Sequence, residues 1–297
     1  MVDFLLLSHP RSGSSALRHE MNRFASVVIP PEASFATWLL RDSVLLEAEE
    51  DPGHTSFSRL FTDALFKTRK FEHWSLSHDA VSRRLQMAGA TSLKHAIDEI
   101  YRLFRDCFRP GATAIGDKNN SYFFEIDSAL RALSPARVVL LWRDPVEVWS
   151  SYQGLRRDVA TDPALRDNPY FPRLPGTREE FIHAWNVGHE MAIERLDEWA
   201  GPVQYCSYQS FVTDAANIPQ ALVEFVTGAP TQDPVDVPLA LREPEDLRPW
   251  KSGVGRPVYR FESQAGAPGF SAEDAAEIRK HTRVMQQRLH NRERPRP

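Results

Sequence analysis

Residues 10–15 read Pro10-Arg11-Ser12-Gly13-Ser14-Ser15, a cation, a glycine and three hydroxyls in a row of six. Such a set can hold an anion. Ahead of it lies the apolar run Phe4-Leu5-Leu6-Leu7; behind it Leu17, Met21 and Phe24 fall at i, i+4 and i+7. That spacing predicts strand, loop and helix in succession. The first amides of a helix lack intrahelical partners and carry the positive end of its dipole, so a phosphate is stabilised there. Gly13 would allow close backbone approach, and Ser12, Ser14 and Ser15 offer hydroxyl donors. The triphosphate loop G-x-x-x-x-G-K-[ST] is not met, because one glycine is present and the cation precedes it. The alternative is an ordinary strand–turn–helix with a serine-rich cap.

A second stretch repeats the device. Val138-Val139-Leu140-Leu141-Trp142 is a continuous apolar run, as expected of a strand buried on both faces. It delivers Arg143-Asp144-Pro145, and a helix follows with Val148, Tyr152 and Leu155 on one face and Ser150 and Ser151 in its early turns. In open α/β sheets ligands sit at the carboxyl ends of strands. Two such ends suggest a ligand with two separated phosphates. The alternative for Arg143 is an ion pair with Asp144 or a neighbour.

Residues 10–15 resemble the 5′-phosphosulfate loop of sulfotransferases that use 3′-phosphoadenosine 5′-phosphosulfate. Arg143-Asp144-Pro145, with Ser151 eight positions after Arg143, resembles that family's 3′-phosphate motif. Gly116-Asp117-Lys118-Asn119-Asn120 is similar to its lysine-containing segment. The resemblance implies a soluble bacterial member with a P-loop-like α/β fold, a parallel sheet flanked by helices. It also implies sulfuryl transfer from that donor, without a metal, to a hydroxyl of a small molecule or sugar. On this reading Arg11 faces the leaving oxygen, Ser12, Gly13, Ser14 and Ser15 cradle the 5′-phosphate, and Lys118 covers the sulfuryl group. Arg143 and Ser151 take the 3′-phosphate.

Sulfuryl transfer also needs a base for the acceptor proton. Glu32, in Ile29-Pro30-Pro31-Glu32-Ala33-Ser34, is similar to the glutamate of carbohydrate and tyrosine sulfotransferases. Those enzymes often carry His two positions on, where this chain has Ser34. The alternative is that Glu32 merely complements a helix dipole. His73, His78 and His95 are weaker candidates for a histidine base. Tyr208 corresponds in position to a tyrosine that contacts adenine in the family; the alternative is a half-buried strand tyrosine. Trp250-Lys251-Ser252-Gly253-Val254-Gly255-Arg256 is a late basic loop, and Lys251 and Arg256 are expected to close on the nucleotide.

Composition agrees. With 297 residues, 42% hydrophobic and 26% charged, the chain reads as one domain over 1–297. No apolar run is long enough for a membrane span, and no signal peptide or anchor is expected ahead of the first strand. Two distant cysteines, Cys107 and Cys206, fit a reduced cytoplasm and no cysteine metal site. The net charge of −4 argues against nucleic acid or a polyanionic acceptor, while leaving room for a local basic groove. Self-association is left open. Strands are expected at 25–29, 112–115 and 203–208, and helices around 97–108, 181–199, 218–227 and from 271 onward. Segments 45–95 and 156–177 read as irregular and acceptor-binding, and 291–297 as a frayed tail. A kinase-like phosphotransferase and a non-catalytic nucleotide-binding protein of the same fold are the competing functions.

Overall fold

The computed structural model describes residues 2–50, 57–247, 251, 254–255 and 270–293. Strand β1 (Phe4–Ser8) is buried along its whole length and leads through the serine-rich loop into α1 (Ser14–Met21). The short β2 (Val27–Val28) follows. Next come α2 (Phe35–Leu39), α3 (Ser43–Glu50), α4 (Phe57–Leu65), α5 (His78–Ala88) and α6 (Leu93–Phe108). Segment 45–95 is therefore largely helical rather than irregular. Phe57, Phe61 and Leu65 recur at four-residue spacing and are buried, as are Val81 and Leu85. Ser77 caps α5 by accepting from the Ala80 amide, and Gly89 ends it at φ 61°. The acidic run and Pro52-Gly53 had hidden this periodicity.

Strand β3 (Ala114–Lys118) and helix α7 (Ile126–Leu133) precede β4 (Arg137–Trp142). Asp144 caps α8 (Pro145–Thr161) by accepting from the Val146 amide at 2.8 Å. Segment 156–177 thus begins as the end of α8 and continues as a 3₁₀ turn, Pro163–Asp167. A capping box of Thr177 and Glu180 opens α9 (Arg178–Glu198). The expected strand 203–208 stops one residue early: β5 is Val203–Ser207, because the Ser207 side chain caps α10 (Tyr208–Thr213). Helix α11 (Asn217–Thr227) ends at Gly228 in the left-handed region, as expected. The last helix, α12 (Ala272–Glu293), includes residues 291–293. Its final residue is held because the Ser207 amide donates to the Glu293 carboxylate at 3.0 Å.

The five strands are parallel in the order β2-β3-β1-β4-β5. Alternation along them divides the core between the two faces. Leu5, Leu7, Val138 and Leu140 join one apolar cluster with residues of α2–α9 and α12; Phe4, Leu6, Val139 and Leu141 join another with α1 and α11. Burial on both faces explains the near-continuous apolar reading of β1 and β4. No helix among the described residues is long and apolar enough to cross a membrane.

Candidate active site

The chain leaves β1 towards β2 on one side of the sheet and leaves β4 towards β5 on the other. A crevice opens beyond the carboxyl ends of adjacent strands at such a switch point. Both sequence-predicted anion loops lie there. Arg11 has φ 69°, a left-handed conformation uncommon for a residue with a side chain and frequent at functional sites. Its carbonyl accepts from Arg143 Nη1 at 3.2 Å, and its Nε donates to Ser151 Oγ at 3.0 Å. The two motifs, 132 positions apart in sequence, thus form one surface. Arg143 Nε also donates to Glu147 at 2.8 Å, so the neighbour available for an ion pair is Glu147, while Asp144 caps the helix.

Gly13 is the N-cap of α1 and provides no side-chain cap for its amides. Its φ of 92° suits glycine, and a Cβ there would meet the Tyr208 ring at 2.5 Å. Tyr208, at the start of α10, lies against this loop with the Arg143 guanidinium carbon 4.1 Å over its ring. Ser12 Oγ is buried without a hydrogen-bond partner among the described residues. A buried hydroxyl normally finds a partner, so an oxyanion seated on the loop would complete it. Ser14 Oγ donates to Asn120 at 3.2 Å, and Lys118 Nζ approaches Ser15 Oγ at 3.4 Å.

Lys118 is the last residue of β3, opposite Leu6 of β1. Glu32 reaches the same edge from the segment after β2. Asn22 pairs with both backbone groups of Ile29 at 2.9 Å, Arg18 Nη1 donates to the Ile29 carbonyl, and Trp74 Nε1 donates to Pro31 at 2.9 Å. These bonds fix the segment that presents Glu32. Its Oε2 accepts from Lys118 at 3.0 Å and Lys251 at 3.2 Å, and its Oε1 from Lys70 at 3.1 Å. Lys251 is also 2.5 Å from Glu243, which accepts from Arg18 at 3.0 Å. Four cations thus surround two carboxylates. Burial would raise the Glu32 carboxyl, but Lys118, Lys251 and Lys70 outweigh it and hold it well below the usual range. Burial lowers Lys118 to about 8, against the pull of Glu32.

The profile of the sulfotransferase family matches residues 3–233. The chain belongs to the sulfotransferase family. A solved sulfotransferase from Alicyclobacillus acidocaldarius aligns over 98% of this chain and 96% of its own, with a TM-score of 0.51 and 18% identity. Sulfotransferase STF9 from Mycobacterium avium aligns over 96% of this chain and 76% of its own, at 0.46 and 15%. The first likeness supports the fold. No curated protein matches the chain.

At this sheet edge the sequence-predicted residues fall into two groups. Arg11, Ser12, Gly13, Arg143, Ser151 and Tyr208 meet at the β1/β4 tips. Glu32, Lys118 and Lys251 meet at the β2/β3 tips, and Ser15 stands between the groups. Lys251 approaches Glu32 and Glu243 rather than the arginine pair, and Arg256 lies outside the described residues. Ser34 accepts from Asn119 at 2.7 Å. His78 pairs with Asp63 at 3.0 Å and His73 meets Tyr170 edge-on at 5.2 Å.

Sequence reasoning missed Lys70, Glu243 and Arg18, which belong to no motif. It also passed over Asp117 and His9. Asp117 is fully buried beneath Lys118 and accepts from the hydroxyls of Tyr101 and Tyr122 at 2.5 and 2.8 Å; burial raises it to about 6. His9 is caged by Phe123, Phe124, Tyr152 and Phe181 and stacked on His189 at 6.0 Å. Burial lowers it to about 4, so its ring is neutral near pH 7. The signal for Arg18 was legible: a cation on the same helical face as Leu17 and Met21 must be buried with a counter-charge.

Proposed function

We propose that the chain transfers a sulfuryl group from 3′-phosphoadenosine 5′-phosphosulfate to a hydroxyl of a small-molecule or carbohydrate acceptor. The observation that carries this reading is the joined pair Arg11 and Arg143, backed by the excess of cations around Glu32. A ligand with a phosphate at one end and a phosphosulfate at the other matches two linked cationic patches. A triphosphate would instead call for the lysine and hydroxyl of the commoner loop.

When bound, the donor would supply a sulfuryl group on a phosphate leaving group. The amides of α1 with Ser12, Ser14 and Ser15 would hold the 5′-phosphate, and Arg143 with Ser151 the 3′-phosphate. Tyr208 would contact the adenine of the donor. Arg11 stabilises charge at the leaving oxygen and, being always protonated, gives up no proton. Lys118 and Lys251 would supply positive charge to the sulfuryl oxygens. Glu32 accepts the acceptor's hydroxyl proton as that oxygen attacks sulfur. While three lysines hold it, Glu32 is a weak base; lysines drawn towards an anionic donor would leave the carboxylate more basic. Preorganised cations and in-line placement then supply most of the acceleration. We place the activity in the cytoplasm, where the exposed thiol of Cys107 stays reduced.

The test is a titration with adenosine 3′,5′-bisphosphate against ATP with and without Mg²⁺, followed by turnover on a panel of hydroxyl acceptors. Tighter binding of the bisphosphate and donor-dependent sulfation are expected. Tighter binding of Mg²⁺-ATP, or bisphosphate binding without any turnover, would overturn the proposal.

A further inference from the structure

Resting on that reading, we propose that the acceptor carries an oxyanion group, seated in a basic groove that begins beside Lys70. Glu32 looks two ways. Its Oε2 meets Lys118 and Lys251, and its Oε1 meets Lys70. Lys70 has φ 70°, a left-handed conformation, and its side chain is 16% exposed. It is held in place because the 3₁₀ turn that follows it, Phe71–Trp74, is tied to Pro31 by the Trp74 indole. Lys70 thus holds the oxygen that Lys118 and Lys251 do not contact, and on the proposed function the acceptor reaches the base from the Lys70 side.

The next residue outward is Arg69. It is exposed, and its guanidinium lies 5.3 Å from the ring of Tyr170. Tyr170 in turn donates to Glu72, which fastens the 162–174 loop across the Lys70 turn. Arg69 also lines an open groove of about 560 Å³, together with Arg166, Asp167, Phe171, Arg173 and Leu174. Three arginines against one aspartate make it a positive patch on a chain of net charge −4. Arg166 and Arg173 are exposed, and neither has an ion-pair partner among the described residues. Phe171 and Leu174 supply apolar floor for the body of a ligand. A wholly apolar acceptor would have to cover these cations without pairing them, at a desolvation cost. An acceptor with a carboxylate or sulfonate would pair them bidentately and be drawn in by the local field.

The test uses three phenols of one shape: 4-hydroxybenzoate, 4-hydroxybenzenesulfonate and methyl 4-hydroxybenzoate. Each is titrated calorimetrically into the full chain saturated with adenosine 3′,5′-bisphosphate. The charged pair is expected to bind at least about tenfold more tightly than the ester, with the advantage shrinking as salt is raised. Arg166→Ala/Arg173→Ala is expected to abolish the preference while keeping the bisphosphate affinity and the thermal midpoint. A preference for carboxylate over sulfonate, or the reverse, identifies the oxyanion. Equal or tighter binding of the ester, no binding of either charged probe, or an undiminished preference in the double variant would overturn the groove. A wild-type chain that ignores the bisphosphate yet prefers the charged probes would keep the groove and sink the sulfuryl-transfer reading.

Discussion

Two neighbouring stretches of one sheet edge gather positive charge by different means. At the β1/β4 tips the cations are arginines, tied to each other, to Ser151 and to Glu147, and supported by hydroxyls and a ring. At the β2/β3 tips they are mostly lysines, crowded around two buried carboxylates. Arginine keeps its charge at any working pH and presents a planar fork, which suits a phosphate that does not change. Lysine is a compact charge whose proton affinity shifts on burial, which suits a place where charge must move. On the proposed function, the difference assigns holding to the first region and reaction to the second.

Removing the shared carboxylate should break that contrast most severely. Glu32→Gln is expected to lower turnover by about 10²–10⁴-fold, while adenosine 3′,5′-bisphosphate still binds. Retained turnover in steady-state assays would move the base elsewhere.

The lysine region also stores stability. Burial raises the Glu243 carboxyl, but Lys251 and Arg18 outweigh it and bring it from 4.5 to about 2. A carboxyl lowered on folding stabilises the protein above its unfolded value and loses that contribution as pH falls through its folded value. Urea unfolding of Glu243→Gln should therefore show a loss of about 3 kcal/mol at neutral pH. The gap from wild type should narrow as pH falls below 4.5 towards about 2. A gap independent of pH would assign the loss to packing.

On the arginine side, Arg143→Ala should weaken adenosine 3′,5′-bisphosphate by about 10–100-fold, the scale of charged hydrogen bonds at about 1.5–3 kcal/mol, and leave adenosine 5′-phosphosulfate nearly unchanged. Equal loss of both in competition titrations would deny Arg143 a role at the 3′-phosphate. The mildest effect is on pH. Lys118 is a cation below about 8 and neutral above it, so kcat/KM should fall as pH rises through that value. Lys118→Arg should shift the fall upward, whereas an unmoved alkaline limb would place the titrating group elsewhere.

Sequence alone determined the motifs and the elements that carry them. The serine-rich loop after β1 and Arg143 after β4 were legible because a strand buried on both faces is a continuous apolar run and a helix start has its own residue chemistry. Lys118 and Glu32 were legible through resemblance. The helices of 57–88 were also written in the sequence, at Phe57, Phe61, Leu65, Val81 and Leu85, but punctuation by proline, glycine and charge obscured them. Only the tertiary structure decided who stands beside whom. The sheet order puts β1 beside β4 and β2 beside β3, which makes neighbours of Arg11 and Arg143 and of Glu32 and Lys118. Lys70, Lys251, Glu243 and Arg18 come from four separate segments, and no local period announces a pairing made across 219 positions, as between Lys251 and Glu32. Side-chain alternation and helix spacing are local properties, whereas a buried charge cluster exists because folding brings its members together where an unpaired charge would be costly.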